Sequence, residues 1–200
     1  MSLEVFFDYS SPFSYLASTQ VERIARARSA SLLWKPFLLG ALFKEIGAPL
    51  VPIAAMPEAK RRYLVEDMAR WAAHWGVPFR FPSRFPLRTV KPLRMTLLSP
   101  HAVRPALLHR LMRLCWVDDG DPDDDAQLLA CTADSGAPPS LVERTRTPDA
   151  KLQLKKATDE AVARGVPGAP TFFVGETMFW GQDRLVFVEK ALDGWKPRMG

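Results

Sequence analysis

Ser11 stands in the segment best equipped for chemistry, Asp8-Tyr9-Ser10-Ser11-Pro12-Phe13-Ser14. Pro12 sits where a helix would begin, because proline is tolerated at the first helical position. Ser11 then takes the N-cap. The start of a helix carries unpaired N–H groups and a partial positive charge, so it favours a thiolate or another anion. Ser11-Pro12-Phe13-Ser14 holds no sulfur, so a thiol acting here has to arrive with a ligand. A serine at a helix start is ordinarily only a cap, and residue type alone favours that reading. The second segment is Val166-Pro167-Gly168-Ala169-Pro170-Thr171-Phe172-Phe173-Val174-Gly175. Pro170 opens an apolar run, and proline is confined to a strand's start or edge. It pushes Ala169 toward an extended conformation. With a cis Ala169–Pro170 bond, the N–H and C=O of Ala169 would turn outward, free to bind. The third segment is Phe179-Trp180-Gly181-Gln182-Asp183-Arg184. Gln182 and Asp183 fall at the start of the last helix, where a carboxylate counters the helix dipole.

The elements that must position these residues are readable from periodicity. Leu3 to Asp8 is a short buried strand. Pro12 to Arg28 carries apolar residues at Phe13, Leu16, Ala17, Val21, Ile24 and Ala25, close to the helical period. Ser31 to Leu38 reads as a second strand, parallel to the first. From Ala41 to about Arg146 the pattern is helical with proline-rich connections. Tyr63 to Trp75 is an amphipathic helix, Val77 to Pro100 an irregular loop, and Val103 to Trp116 an apolar helix. Asp118 to Asp125 is an acidic, solvated turn ahead of a further helix. Pro148 to Arg164 is a long charged helix leading to the Pro170 strand. A β-α-β start and a strand-turn-strand-helix end predict an α/β chain of thioredoxin-like fold. Residues 1–40 and 147–200 would form that domain, and 41–146 an inserted all-helical domain.

Asp8-Tyr9-Ser10-Ser11-Pro12-Phe13-Ser14-Tyr15-Leu16, the Ala169-Pro170-Thr171 loop and Phe179-Trp180-Gly181-Gln182-Asp183-Arg184-Leu185 together resemble the 2-hydroxychromene-2-carboxylate isomerases. These are glutathione-dependent enzymes allied to the kappa-class glutathione transferases and to DsbA-type oxidoreductases. The resemblance covers nearly the whole chain. It implies isomerisation of a ring-fused aromatic hemiketal acid to a benzylidenepyruvate, as in naphthalene breakdown, with glutathione as cofactor and a homodimeric assembly. Ser11 would donate to the glutathione sulfur and, with the helix N-terminus, lower its pKa from about 8.5. Asp183 would pair with the α-ammonium while N–H groups near Gln182 take the α-carboxylate. Ala169, ahead of Pro170, would bond the cysteinyl part through its backbone, as a strand would. Lys60 would reach the glycyl carboxylate, although a solvated lysine beside Arg61 and Arg62 is an equal reading. The family's asparagine ahead of prolines is missing, for this chain has Gly47-Ala48-Pro49-Leu50-Val51-Pro52 there. A kappa-like transferase and a non-catalytic glutathione- or peptide-binding module are the rival readings.

Composition narrows the rest. The chain has 200 residues, 48% of them hydrophobic, enough for a core. No run is long and charge-free enough to span a membrane. The N-terminus lacks a basic-then-apolar signal pattern, so a cytoplasmic location is expected. The charge of +5 is spread along the chain, with no nucleic-acid-binding motif. It suits small anions, here glutathione and an aromatic carboxylate. Cys115 and Cys131 lie in no C-x-x-C and read as buried thiols. His74, His101 and His109 lack ligand spacing. The acidic run fails the calcium-loop pattern, with Asp124 where glycine is needed. Phe13, Tyr15, Trp34, Phe85, Arg88 and Trp180 are candidates to line a second-substrate pocket.

Overall fold

β1 (Ser2–Phe7) carries apolar Leu3, Val5, Phe6 and Phe7, all buried, because helices cover both of its faces. The computed structural model describes residues 1–196. The chain runs β1, α1 (Pro12–Ala27), β2 (Ser31–Pro36), α2 (Leu39–Glu45), a 3-10 turn (Pro52–Ala55) and α3 (Glu58–Trp75). Then come α4 (Val90–Leu98), α5 (Arg104–Trp116), α6 (Asp125–Ser135), α7 (Ser140–Arg144) and α8 (Pro148–Ala163). The end is β3 (Thr171–Val174), β4 (Thr177–Trp180), a 3-10 turn (Gln182–Arg184) and α9 (Leu185–Leu192).

The sheet order is β2-β1-β3-β4. β1 runs parallel to β2 and antiparallel to β3, and β3 runs antiparallel to β4. Val5 is therefore flanked by Trp34 and Phe172, and Thr171 by Phe6 and Trp180. Leu3 and Val5 pack with Ala17, Val21 and Ile24 of α1 and with Val188 and Ala191 of α9. Phe6 faces the other way, toward Phe37, Leu42, Ala161 and Phe173, which puts α2 and α8 on that side. This is the mixed sheet between helices that the DsbA-type thioredoxin fold requires. Helices α4 to α7 build a separate cluster around Leu111, Trp116 and Leu128, and Phe7, Tyr9, Tyr15 and Leu16 from the sheet half enter it.

Three expectations about the middle of the chain need correction. Val77 to Pro100 is not loop throughout, because α4 occupies Val90–Leu98. Pro92 is its third residue, in the first turn, where an N–H has no intrahelical partner to lose. α3 begins at Glu58, so Lys60 lies inside its first turn rather than ahead of it. The acidic run is not merely solvated. Asp119 pairs with Arg80 at 3.0 Å, and Lys91 meets Asp123 at 3.2 Å and Asp125 at 2.9 Å. Asp119 also accepts the Ser83 N–H at 2.7 Å. The basic residues of the proline-rich segment meet these aspartates and strap the segment over the end of α5. There Arg80 N–H donates to the Trp116 carbonyl at 2.7 Å.

Candidate functional site

Ser11 caps α1 as its sequence context predicts. Its backbone is extended, with φ −96° and ψ 117°, and its Oγ accepts the Ser14 N–H at 3.2 Å. Pro12 follows in the first helical position, and the first turn of α1 carries no acidic residue. The positive end of the helix is therefore not neutralised by a carboxylate of its own first turn. The Ser14 hydroxyl, in the same turn, is buried with no hydrogen-bond partner among the described residues.

The Ala169–Pro170 loop comes to this helix end. The bond is cis, and Ser11 Oγ donates to the Ala169 carbonyl at 2.8 Å. The expected outward carbonyl is thus already engaged, because the cap serine lies directly across from it. The Ala169 N–H makes no hydrogen bond among the described residues. The Pro170 carbonyl accepts the Gly181 N–H at 3.0 Å, which ties the loop to the turn carrying Gln182 and Asp183. That turn packs against α1. Gln182 is buried, whereas the Asp183 side chain is 40% exposed and its Oδ2 lies 3.5 Å from Arg184. Asp183 sits in a 3-10 turn one step before α9, not in the helix itself. Gly181 has φ +106°, and a Cβ there would come within 2.5 Å of Asp183 Oδ1, so only glycine fits. Ser11, Ala169, Pro170, Gln182 and Asp183 are thereby held in one region. No hydrogen bond or ion pair joins Lys60 to it among the described residues. Lys60 lies on an apolar groove of about 390 Å³ with Met56, Ala59, Tyr63 and Leu64.

The aromatic candidates separate. Trp180 is 56% exposed and covers the loop, since a Cβ on Gly168 would lie 2.9 Å from its Nε1. Tyr15 and Phe85 belong to the packing of the helical block. Tyr15 donates to the Pro78 carbonyl and stacks on Phe79, and Phe85 lies against Phe81 and Trp116. Trp34 packs on Phe7 and lines a different groove with Leu97, His101 and Arg104. Phe13 is half-buried against the helical block, and Arg88 is 85% exposed. Cys115 and Cys131 are buried free thiols, and burial pushes both above the ordinary thiol range. His109 bonds Glu22 at 2.9 Å, His101 lies 3.4 Å from Arg104, and His74 packs beside Trp71 and Trp75.

Asp8 is a residue that sequence reasoning missed. It is 1% exposed at the end of β1. Oδ1 accepts the Ser10 N–H at 2.9 Å and the Thr89 hydroxyl at 2.6 Å, and Oδ2 accepts the Leu39 N–H at 2.8 Å. Burial raises its pKa against these three donors. One carboxylate thus pins the Ser11 turn, α2 and the start of α4 together. An aspartate ending an apolar strand was the available signal. Among the described residues no group of three His, Cys, Asp or Glu side chains could hold a metal ion, and no helix is long and apolar enough to cross a membrane.

A family profile described as a DSBA-like thioredoxin domain matches residues 2–193. A 2-hydroxychromene-2-carboxylate isomerase of Sphingobium xenophagum is 32% identical over 205 residues, covering 96% of this chain and 97% of that protein. Glutathione S-transferase kappa 1 of Homo sapiens is 26% identical, over 96% of this chain and 90% of its own. The solved structure of a 2-hydroxychromene-2-carboxylate isomerase superposes with a TM-score of 0.86 at 26% identity, over 97% of this chain and 95% of that one.

Proposed function

The chain belongs to the DsbA-like thioredoxin family and, within it, to the 2-hydroxychromene-2-carboxylate isomerases; from that premise we propose that it is a glutathione-dependent isomerase of 2-hydroxychromene-2-carboxylate-type acids, giving benzylidenepyruvates. The observation that carries the reading is the meeting of Ser11 Oγ with the Ala169 carbonyl at an α1 N-terminus whose first turn holds no acid. These groups fit a cysteinyl peptide. The Ala169 N–H and C=O offer the two backbone bonds of a strand, and the unpartnered Ser14 hydroxyl is a further polar group in the same turn. Bound there, glutathione would supply a soft nucleophile, whose reversible addition to a conjugated side chain turns the double bond into a rotatable single bond until elimination restores it.

The residues divide the remaining work. Ser11 and the helix N-terminus hold the sulfur as thiolate. Asp183 Oδ1, not engaged by Arg184, takes the α-ammonium, and N–H groups near Gln182 take the α-carboxylate. Pro170 ends the loop so that Ala169 presents its backbone. Lys60, exposed on α3, is the cation for the glycyl carboxylate. Trp180, over Gly168, offers an apolar wall to the aromatic carboxylate substrate.

Calorimetry with glutathione, followed by the thiolate ultraviolet band across pH, tests the reading. Binding with a lowered thiol pKa is expected. Ser11→Ala should lower kcat/KM by about 10- to 100-fold, the worth of a hydrogen bond to a charged atom. Asp183→Ala should weaken binding about tenfold with little change in kcat. An Ser11→Ala protein with full activity would sink the mechanism. The resemblance to human glutathione S-transferase kappa 1 favours a second reading, conjugation of electrophiles at the same serine. Product identity separates the two, since the isomerase releases its glutathione unchanged.

A further inference from the structure

The Ser11 hydroxyl has one proton and gives it to the Ala169 carbonyl, 2.8 Å away. Its oxygen meanwhile accepts the Ser14 N–H at 3.2 Å, and both serines are buried. While it serves Ala169, this hydroxyl has nothing to donate to a ligand sulfur. The proton can turn about the Cβ–Oγ bond without moving the oxygen, which the Ser14 N–H anchors. Turning away, however, strips a buried carbonyl of its donor, and a buried acceptor left unpaired is costly. The turn becomes easy only when another donor reaches Ala169 first.

We infer that the Ser11 proton is a two-position switch, thrown by the peptide N–H of the cysteinyl residue whose thiol is to be activated. That N–H takes over the Ala169 carbonyl, and the Ser11 hydroxyl turns to the sulfur. The inference rests on the glutathione reading above and deepens it. The Ala169 N–H has no partner to surrender among the described residues, so it meets the cysteinyl carbonyl without opposing the exchange. Activation then selects thiols that carry an acylated α-nitrogen, as γ-glutamyl peptides do. A simple alkyl thiol that enters the same pocket finds the hydroxyl turned away from it. Backbone recognition and thiol activation become one event, because a single proton serves both.

The test compares glutathione with its ester analogue, in which the cysteinyl N–H is replaced by oxygen. Each is titrated by the thiolate band when bound to the protein and to Ser11→Ala. Asp183, Arg184 and Lys60 are the same for both ligands, as is Asp8, buried beneath the turn, and all cancel in the comparison. With Ser11 present, the bound ester thiol should titrate about one unit above bound glutathione, a tenfold difference in thiolate. In Ser11→Ala the two should titrate together. If the ester binds too weakly to saturate, kcat/KM with a chromogenic electrophile gives the same cycle. Replacing the N–H should then cost about tenfold more with Ser11 than without it. Equal thiol pKa values, or equal losses in both proteins, overturn the switch while leaving the glutathione reading intact. Failure of glutathione itself to bind overturns the underlying reading, and the switch with it.

Discussion

Asp8 holds the site from below, and its chemistry explains why a charged residue is tolerated at the end of a buried strand. Two carboxylate oxygens satisfy three donors that come from three separate segments, Ser10, Leu39 and Thr89. An asparagine could keep the two bonds to Oδ1, but its NH2 would then face the Leu39 N–H, donor against donor. Asp8→Asn should therefore lose about 1–3 kcal/mol of stability, the cost of one buried group left unpaired. Urea denaturation measures this, and an unchanged midpoint would remove Asp8 from the account. The nearby Tyr9 is fixed in the same manner. Its hydroxyl lies 2.6 Å from Thr96 Oγ1, which in turn donates to the Pro92 carbonyl, and its own carbonyl accepts the Trp116 indole N–H at 2.8 Å. These bonds join the Ser11 turn to α4 and α5 through side chains.

Among the elements, β4 and the loop ahead of β3 depend on each other through Gly168. A Cβ on Gly168 would lie 2.9 Å from Trp180 Nε1, so Gly168→Ala must push the indole off the loop. Overpacking of this kind costs about 1–3 kcal/mol. The double variant Gly168→Ala/Trp180→Ala should recover most of the stability, since the clash is with one side chain, and thermal unfolding checks it. The strap over α5 has a different dependence. Asp119 and Asp125 are held below the ordinary aspartate range, Asp119 first by the Ser83 N–H and Asp125 first by Arg146. A carboxylate with a depressed folded pKa stabilises above its ordinary value of 3.8 and loses that contribution as pH falls through the folded value. Amide protection in residues 78–89 should therefore fall below about pH 4. Asp119→Asn should show the loosened strap already at neutral pH. Protection factors that do not change with either would show that Phe79, Phe81 and Phe85, packed on Trp116, hold the strap alone.

The whole molecule has a sheet half and a helical block, yet one cluster joins them. Phe7, Tyr9, Tyr15 and Leu16 are buried with Leu107, Leu111, Trp116 and Leu128, so neither half can unfold without exposing the other's core. Unfolding should be a single cooperative step. Far-ultraviolet dichroism and tryptophan fluorescence should give coincident urea curves, because Trp34 packs on both clusters and Trp116 lies in the block. Two separate transitions would instead mean that the inserted helices fold as a unit of their own. We propose the first outcome, with 41–146 an insertion in sequence and not an independent neighbour.

The residues themselves already determined the elements that local physics controls. Ser11-Pro12 marks a helix start because a cap and a proline each have one favourable place there. The apolar run of β1 marks a strand covered on both faces, and Pro170 marks the beginning of β3. The motifs around Ser11, Pro170 and Asp183 also carry the resemblance to the thioredoxin fold. What tertiary structure decided was which distant groups meet. The contact of Ser11 with Ala169 spans the whole inserted block and leaves no periodic trace. α4 was hidden because a proline-rich stretch reads as loop, although proline in a first turn loses no hydrogen bond. The role of Asp8 was hidden because a single buried carboxylate has no pattern, only partners. The pairing of Asp119 to Asp125 with Arg80 and Lys91 likewise depends on two separated segments lying side by side. Pairing of this kind is set by packing across the fold, and local propensity carries no information about it.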